Sequence, residues 1–342
     1  MKQQVKSAAI VAAVAMALVG CTTANQAPAS EAPGETAAAE AEAQSLGRLE
    51  IIAPANPGSG WDQTARAVGA ALEENELADS ATITNVPGAS GTVALAQIAQ
   101  QRGKEDTLVA SGLAMMSGVL TNETGVTLDD LTPIARLIGE SEMIVVPEGS
   151  PYTTLDELMA AVAEDPASVP IAGGSAGSAD QVFIGLLAQA YDIDPASVNY
   201  VPYSGGGEAT TALLGNQVAA GVAGVGEFQE QVRAGSLTGL VISTSDAIEG
   251  LDVATIADAG HEELEFANWR SIMAPPGITD EQKSAYIAAV TAMAESEAWA
   301  EQVETNQWLD IFLAGDEFDA WLDEENTRVE SVLTDLGLVI AS

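Results

Sequence analysis

The stretch LEIIAPANPGSGWDQTARAVGAAL (Leu49–Leu72) decides how the rest of the chain is interpreted. It opens with a short apolar run, turns through Pro57–Gly60, and continues as an amphipathic segment that begins with Trp61 and Asp62. An apolar strand, a turn rich in Gly and Ser, and a helix form the unit from which parallel α/β sheets are built. The stretch therefore predicts an α/β protein.

The same unit recurs along the chain. Two further copies are ATITNVPGASGTVALAQIAQ (Ala81–Gln100) and TLVASGLAMMSGVL (Thr107–Leu120). Three more begin with VPIAGGSAGSADQVFIGLLAQAY, VNYVPYSGGGEATTALLGNQV and VAAGVAGVGEFQEQVRAG, after residue 168. The 342 residues exceed what a single core usually supports. Two sets of three units thus predict two similar lobes, each a mostly parallel sheet flanked by helices.

Helix starts are marked by Ser or Thr followed three residues later by Glu or Gln, the spacing of a capping box. The pairs are Thr154 with Glu157, Ser178 with Gln181, and Thr279 with Gln282. Near the C-terminus an apolar stripe at helical spacing predicts a packed helix face. Its members are Phe318, Trp321, Leu322, Val329, Val332, Leu333 and Leu336.

The N-terminus predicts export and lipid anchoring. Lys2 and Lys6 precede an apolar run, Ala8–Val19, which is too short to span a bilayer and is typical of a signal peptide. The segment LVGC resembles the lipobox of bacterial lipoproteins, in which the cysteine, here Cys21, is lipidated. We expect a signal peptide at 1–20 and a disordered tether at 21–46, because the tether lacks bulky apolar residues. The protein is expected on the outer face of the cytoplasmic membrane, facing the periplasm if the host has an outer membrane.

The composition excludes several classes of partner. The formal net charge of −39 argues against nucleic acid and anionic lipid surfaces. At about 0.15 M salt the screening length is roughly 8 Å, so distant acids have little effect inside a cleft. Short-range hydrogen bonds would then decide whether an anionic ligand binds.

Four turns offer such hydrogen bonds. In parallel α/β sheets ligands bind beyond the carboxyl ends of the strands, where helix N-termini present unpaired N–H groups. The turns at 57–60, 87–91, 173–178 and 204–207 are rich in Gly and Ser, which supply backbone and hydroxyl donors. Donors of this kind favour an anion, most simply a carboxylate.

Enzyme functions have weaker support. Gly173–Gly177 matches the G-x-S-x-G elbow of α/β-hydrolases, and the order Ser…Asp…His is available through Ser175 and His261. The predicted helix start at Ser178 lies too late for an elbow serine, and His261 lies in a polar loop. A secreted, lipid-anchored serine hydrolase therefore remains an alternative. No dinucleotide or metal motif is complete, and we expect no cofactor and no metal.

Several motifs carry a family resemblance. APANPGSGWDQTAR resembles the signature of tripartite tricarboxylate transporter receptors, the Bug family of extracytoplasmic solute receptors, through Pro57, Gly58, Gly60, Asp62 and Arg66. NVPGASG resembles the second loop of that family, with Ser90 in place of a glycine. GGSAGSADQ, VPYSGGGEATTALLGNQV and NWRSIMAPPGIT resemble later segments in the same order. The presence of a tryptophan at position 61 resembles the branch of this family that is named for citrate-type tricarboxylates.

The resemblance implies a type II periplasmic-binding-protein-like fold with a ligand cleft between two lobes. Lobe 1 would comprise residues 47–142 and 245–342, and lobe 2 residues 143–244, with crossovers near SEMIVVP and LTGLVIST. It implies a monomeric receptor without catalytic activity. The receptor would capture a citrate-like tri- or dicarboxylate for the large and small membrane subunits of a transporter. A receptor that feeds a signalling sensor is a further alternative.

Roles can then be assigned to particular residues. The backbone around Ser59, Gly60 and Trp61 and around Ala89, Ser90 and Gly91 would hold one carboxylate, with Trp61 against the carbon frame of the ligand. A second set would contact the rest of the ligand: Ser111, Ser175, Ser178, Tyr203, Ser204, Gly205 and Gly206. Asp62 would accept from a ligand hydroxyl or fix the turn, and Arg66 would pair with it at i,i+4. Arg270 is either a cationic ligand residue or part of a structural ion pair.

Overall fold

The computed structural model describes residues 45–122, 124–203 and 206–339. The predicted signal peptide, Cys21, most of the tether, and Ser204 and Gly205 lie outside the described residues. The last two residues of the predicted tether are ordered against the body. Ser45 Oγ donates to Asp79 Oδ1 at 3.1 Å, and Leu46 N–H donates to Leu77 O at 2.8 Å.

Strands and helices alternate through most of the described chain. The strands are β1 (Arg48–Ala53), β2 (Ser80–Asn85), β3 (Thr107–Gly112), β4 (Thr132–Pro147), β5 (Ile171–Gly173), β6 (Tyr200–Pro202), β7 (Ala220–Gly224), β8 (Leu237–Ile242), β9 (Ala267–Ala274) and β10 (Leu309–Ala314). The helices are α1 (Gly60–Glu74), α2 (Thr92–Ala99), α3 (Leu113–Thr121), α4 (Leu155–Glu164), α5 (Ala179–Ala190), α6 (Gly206–Leu214), α7 (Val225–Arg233), α8 (Asp280–Ala294), α9 (Glu297–Asn306) and α10 (Gly315–Asp335). The predicted α/β class is confirmed.

The strands form a curled sheet in the order β2-β1-β3-β9-β4-β7-β5-β6, with β8 and β10 also paired to β4. Parallel pairing joins β1 with β2 and β3, and β5 with β6 and β7. These are the two sets of strands that the repeated unit predicted. The pairs that involve β4 and β9 are antiparallel. Parallel pairing in each set is therefore limited to three strands.

Strand β4 changes partners along its length. Its first part, Thr132–Ser141, pairs with β9, and its last part, from Glu142, pairs with β7 and β8. The change occurs between Ser141, opposite Ala267, and Glu142, opposite Gly224. This switch lies in the segment where one crossover was expected. The lobe boundaries at 142 and 245 stay a prediction.

The helix predictions hold in detail. Helices begin directly after Thr154, Ser178 and Thr279, and the hydroxyls of Thr154 and Thr279 accept from the N–H three residues on. Ser178 is the N-cap residue of α5, but its side chain makes no capping bond. The C-terminal stripe lies on α10. Five of its seven members are buried, and Trp321 and Leu336 pack partly buried against them.

Candidate functional site

The first turn is fixed by Asp62, which is 2% exposed. Its carboxylate accepts from Gly58 N–H at 2.8 Å, from two nitrogens of Arg66 at 2.9 Å, and from Asn85 Nδ2 at 2.8 Å. These bonds, above all those from Arg66, hold the pKa of Asp62 far below its ordinary value. Asp62 therefore stabilises the turn through its own hydrogen bonds. The expected i,i+4 ion pair with Arg66 is present.

Arg270 completes the same corner. It is 7% exposed, and its Nη1 donates to Gly60 O at 3.2 Å and to Thr64 Oγ1 at 3.3 Å. Its Nη2 pairs with Glu140 Oε2 on β4. A Cβ atom at Gly60 would lie 2.3 Å from Arg270 Nη2, so the guanidinium occupies the space beside this glycine. Of the two roles considered for Arg270, the structure favours the ion pair, which ties β9 to α1 and β4.

The second turn is strained and touches the first. Gly88, Ala89, Ser90 and Gly91 all have positive φ, which costs about 1–2 kcal/mol for each non-glycine residue. A Cβ at Gly91 would come within 3.0 Å of the ring of Trp61, so the half-buried indole packs directly on this turn. Strain of this kind persists only where the surroundings hold it, and it accumulates at ligand sites.

A small cavity of about 130 Å³ joins the second turn to the loop before α5. Its lining includes Ser90, residues of α3, the segment from Ser175 to Asp180, and Asn268. The structure thus brings together Ser90, Ser175 and Ser178, three of the predicted ligand residues. The N-terminus of α5 begins at this cavity and contributes the positive end of its dipole.

A larger cavity of about 500 Å³ shares Ser175, Ser178, Asp180 and Asn268 with the small one. It extends along β4 and between the N-terminus of α7 and the end of α9. Five acidic side chains line it: Glu140, Glu142, Asp180, Glu227 and Glu249. The sequence analysis assigned none of these acids to the site. The signal was present in GESE, a polar interruption of the apolar run from Ile134 to Pro147.

Glu142 is almost fully buried, and Asp180 is half-buried. Glu142 is 1% exposed, and burial, followed by the nearby charges of Asp180, Glu140 and Glu227, raises its pKa well above the ordinary value. Burial also raises the pKa of Asp180, although Gly174 N–H donates to Asp180 Oδ2 at 2.6 Å. Glu142 Oε2 and Ser141 Oγ are buried atoms without a hydrogen-bond partner among the described residues.

The remaining predicted residues lie elsewhere. Ser59 is the N-cap of α1 and its hydroxyl donates to Asn56 O at 2.6 Å. Ser111 is fully buried in β3 opposite Ser271. Tyr203 packs beside the core below α6, and its N–H donates to Gly173 O at 2.8 Å. Gly206 is the first residue of α6. None of these four is among the described residues that line the two cavities.

The hydrolase geometry is not supported by the contacts of His261. Its ring lies 4.9 Å from that of Tyr191, and its Nδ1 is 3.4 Å from Glu263. Ser175 lies in the wall of both cavities, whereas His261 lines neither. Within the described ranges, no cluster of three or more His, Cys, Asp or Glu side chains is placed to hold a metal ion. No described helix combines the length and the apolar character needed to cross a bilayer.

Comparisons with known proteins agree with this geometry. The family model "Tripartite tricarboxylate transporter family receptor" matches residues 64–338. Protein BugT of Bordetella pertussis is 29% identical over 238 residues, which cover 67% of this chain and 71% of BugT. A solved TctC solute-binding protein from Polaromonas superposes with a TM-score of 0.72 at 21% identity, covering 85% of this chain and 99% of that one.

Two further structures contain ligands. MatC of Rhodopseudomonas palustris, with bound malate, has a TM-score of 0.64 at 23% identity and covers 84% of this chain and 99% of its own. Rpa4515 of R. palustris, with adipate, has a TM-score of 0.68 at 20% identity and covers 86% and 98%. At these identities the likeness establishes the fold, which confirms the periplasmic-binding-protein-like architecture expected from the sequence.

Proposed function

Because the chain belongs to the tripartite tricarboxylate transporter receptor family, which comprises solute-binding receptors and not enzymes, we propose that it captures a small di- or tricarboxylate outside the cytoplasm. The cleft between the second turn and the loop before α5 is the proposed binding site. Citrate-like acids are the proposed ligands, and the malate and adipate bound by two proteins of the same fold support this class.

The observation that carries the proposal is the wall shared by the two cavities. Ser90 of the strained second turn lines the small cavity together with Ser175, Ser178 and the N-terminus of α5. Hydroxyl groups and unpaired helix N–H groups favour a carboxylate. The turn at Trp61 and Gly91 would close the site from the other side, with the indole against the carbon frame of the ligand. Ser204 and Gly205 remain proposed contacts.

Calorimetric titration with citrate, malate and adipate tests the function. The wild-type protein should bind at least one of the three, and Ser175→Ala should weaken that binding about tenfold by removing one hydrogen bond to a charged group. Ser197→Ala, which removes an exposed hydroxyl bonded to Asp194 O, is the matched control and should leave the affinity unchanged. Tight binding of a sugar, with no heat from any of the three acids, would contradict the proposal.

Delivery to a transporter and anchoring by lipid belong to the same proposal. The Leu18–Cys21 segment supports lipidation of Cys21, and the family supports hand-over to a large and a small membrane subunit by a monomeric receptor. Expression of the full chain with Cys21→Ala should move the protein from the membrane fraction to the soluble fraction. Retention of that variant on the membrane would argue against a lipid anchor.

A further inference from the structure

The large cavity poses a problem for a carboxylate receptor. Five acidic side chains line it, and it shares the lining residues Ser175, Ser178, Asp180 and Asn268 with the small cavity. A ligand carboxylate placed there would meet like charges if every one of these acids were ionised. Such repulsion is strong at short range in a partly desolvated cleft. The protonation state of the buried acids therefore decides what the cavity can bind.

Glu142 lines this cavity at the point where β4 changes partners. It is the residue at which β4 leaves β9 and pairs with β7, and Ser243 fixes its backbone. Ser243 Oγ accepts from Glu142 N–H at 2.9 Å, and Glu142 O accepts from Ser243 N–H at 2.9 Å. Glu142 is 1% exposed, and its Oε2 has no hydrogen-bond partner among the described residues.

A buried carboxyl oxygen that lacks a partner costs several kcal/mol if it is charged, and it costs less as a neutral acid. A neutral carboxylic acid also carries an O–H donor, which a carboxylate lacks. Ser141 Oγ, on the neighbouring residue and also lining the cavity, is a second buried oxygen without a partner in the described part of the chain. Both oxygens therefore have hydrogen-bonding capacity that no described residue uses.

We propose that Glu142 is a ligand-binding residue that carries a proton and donates a hydrogen bond from Oε2 to a carboxylate of the bound acid, with Ser141 Oγ as a second donor. This inference rests on the proposed function, because it assigns a contact within the same site. The proton remains on Glu142 throughout, so binding requires no proton transfer. A protonated Glu142 explains how a cavity lined by acidic side chains can bind an anionic ligand.

The groups that act on Glu142 come from several elements. Glu140 lies on the same strand and is neutralised by Arg270 of β9, Asp180 comes from α5, and Glu227 comes from α7. Tyr200 of β6 lies close enough that an ionised Glu142 would raise its pKa, and Glu249 lines the same cavity. Burial and the three neighbouring carboxylates all raise the pKa of Glu142 well above its ordinary value, and they favour its neutral form.

The first test needs no ligand. A raised pKa in the folded protein means that stability falls as the pH rises from the ordinary Glu value, about 4.3, to the folded value. Glu142→Gln abolishes this penalty, so its urea midpoint should exceed that of the wild type at about pH 8, and the difference should shrink towards about pH 4.5. Glu164→Gln, which changes an exposed carboxylate on α4, is the matched control and should show no such trend.

The second test follows malate affinity by calorimetry between about pH 6 and about pH 8.5, where both malate carboxylates are ionised. The wild-type affinity should fall up to tenfold per pH unit once Glu142 ionises. Glu142→Gln keeps a neutral donor, so its affinity should stay within about threefold of the wild type near pH 6 and become independent of pH. Glu142→Ala should weaken binding at every pH.

The outcomes separate the two proposals. If malate, adipate and citrate all fail to bind the wild-type protein, the proposed function fails and the ligand contact fails with it. If malate binds but Glu142→Gln abolishes binding near pH 6, the ionised carboxylate is required as an acceptor for the malate hydroxyl, and the protonated contact is overturned. A urea midpoint of Glu142→Gln that is lower than the wild type at about pH 8 would equally overturn the protonated state.

Discussion

At the scale of single residues, the structure distinguishes side chains that build the site from side chains that line it. Asp62 and Arg270 are the strongest charged features of the resembled motifs, and both are nearly buried with several partners. Their hydrogen bonds are made within the fold, to the turn, to Asn85 and to Glu140. The polar groups that line the cavities instead include serines and acids, and the position of the acids in the chain gave little indication that they would lie there.

Asp62 should be one of the more costly polar residues to replace. Asp62→Ala leaves Gly58 N–H without its acceptor and removes one of the two acceptors of Asn85 Nδ2, so it should lower the free energy of unfolding by about 2–3 kcal/mol near pH 7. Because the folded pKa of Asp62 is depressed, this stabilisation is present above the ordinary Asp value, about 3.9, and is lost as the pH falls towards the folded pKa.

Urea unfolding at about pH 7 and about pH 3 measures this pH dependence. The difference in the free energy of unfolding between the wild type and Asp62→Ala should be smaller at the lower pH. Arg66→Ala is the control, because the arginine side chain is 54% exposed and screened by solvent, so its loss should cost less than the loss of Asp62. Equal stability of Asp62→Ala and the wild type near pH 7 would show that the turn does not depend on this carboxylate.

At the scale of elements, α5 links the site to the core. Its N-terminus meets the small cavity, while its body packs against α10. The contact with α10 is close at Gly185, where a Cβ atom would lie 2.6 Å from Val332 Cγ1 and 3.3 Å from Leu336 Cδ1. The position of the loop from Ser175 to Ser178 therefore depends on a helix pair that is distant in sequence.

Gly185→Ala tests this packing. The added methyl group should overpack the α5–α10 contact and lower the free energy of unfolding by about 1–3 kcal/mol. Gly207→Ala, in α6, is the matched control, since among the described residues no atom outside its chain neighbours and its own helix backbone lies within 4 Å of the added Cβ. That change should be neutral or stabilising by up to about 1 kcal/mol, because alanine has less backbone entropy to lose in a helix. Similar effects of the two substitutions in urea unfolding would argue against a tight contact.

At the scale of the whole molecule, β4 is the element that both sets of strands share. The bonds of Ser243 Oγ with Glu142 N–H and Phe266 O join three crossover segments at the point where β4 changes partners. A few residues at such a junction are enough to act as a hinge. The predicted lobes, with boundaries near residues 142 and 245, would close about this point.

Ligand-induced closure can be measured in solution. If a bound acid contacts both the second turn and the loop before α5, it favours the closed state by its differential affinity. Small-angle X-ray scattering should then show a smaller radius of gyration with saturating malate or citrate than without it. An uncharged sugar provides the control. An unchanged radius of gyration in the presence of an acid that calorimetry shows to bind would contradict lobe closure.

The sequence alone determined the repeated strand–turn–helix unit, the helix starts and the apolar face of α10. These features are local: they follow from residue spacing and capping chemistry within about 20 residues. The resemblance of the first turn and the later loops also identified the receptor family. Ser90, Ser175 and Ser178 were predicted because they lie in turns whose place at the carboxyl ends of strands follows from the α/β pattern.

Only the tertiary structure decided which polar groups face the ligand space. The antiparallel return of β9 places Arg270 against Gly60 and Glu140, so a cation that could have bound the ligand is instead engaged within the fold. The partner switch in β4 brings Glu142 beside Asp180 and Glu227, which are distant in sequence. The burial of a side chain and the charges around it depend on contacts between segments that are distant in sequence. They therefore cannot be predicted from the local residue pattern.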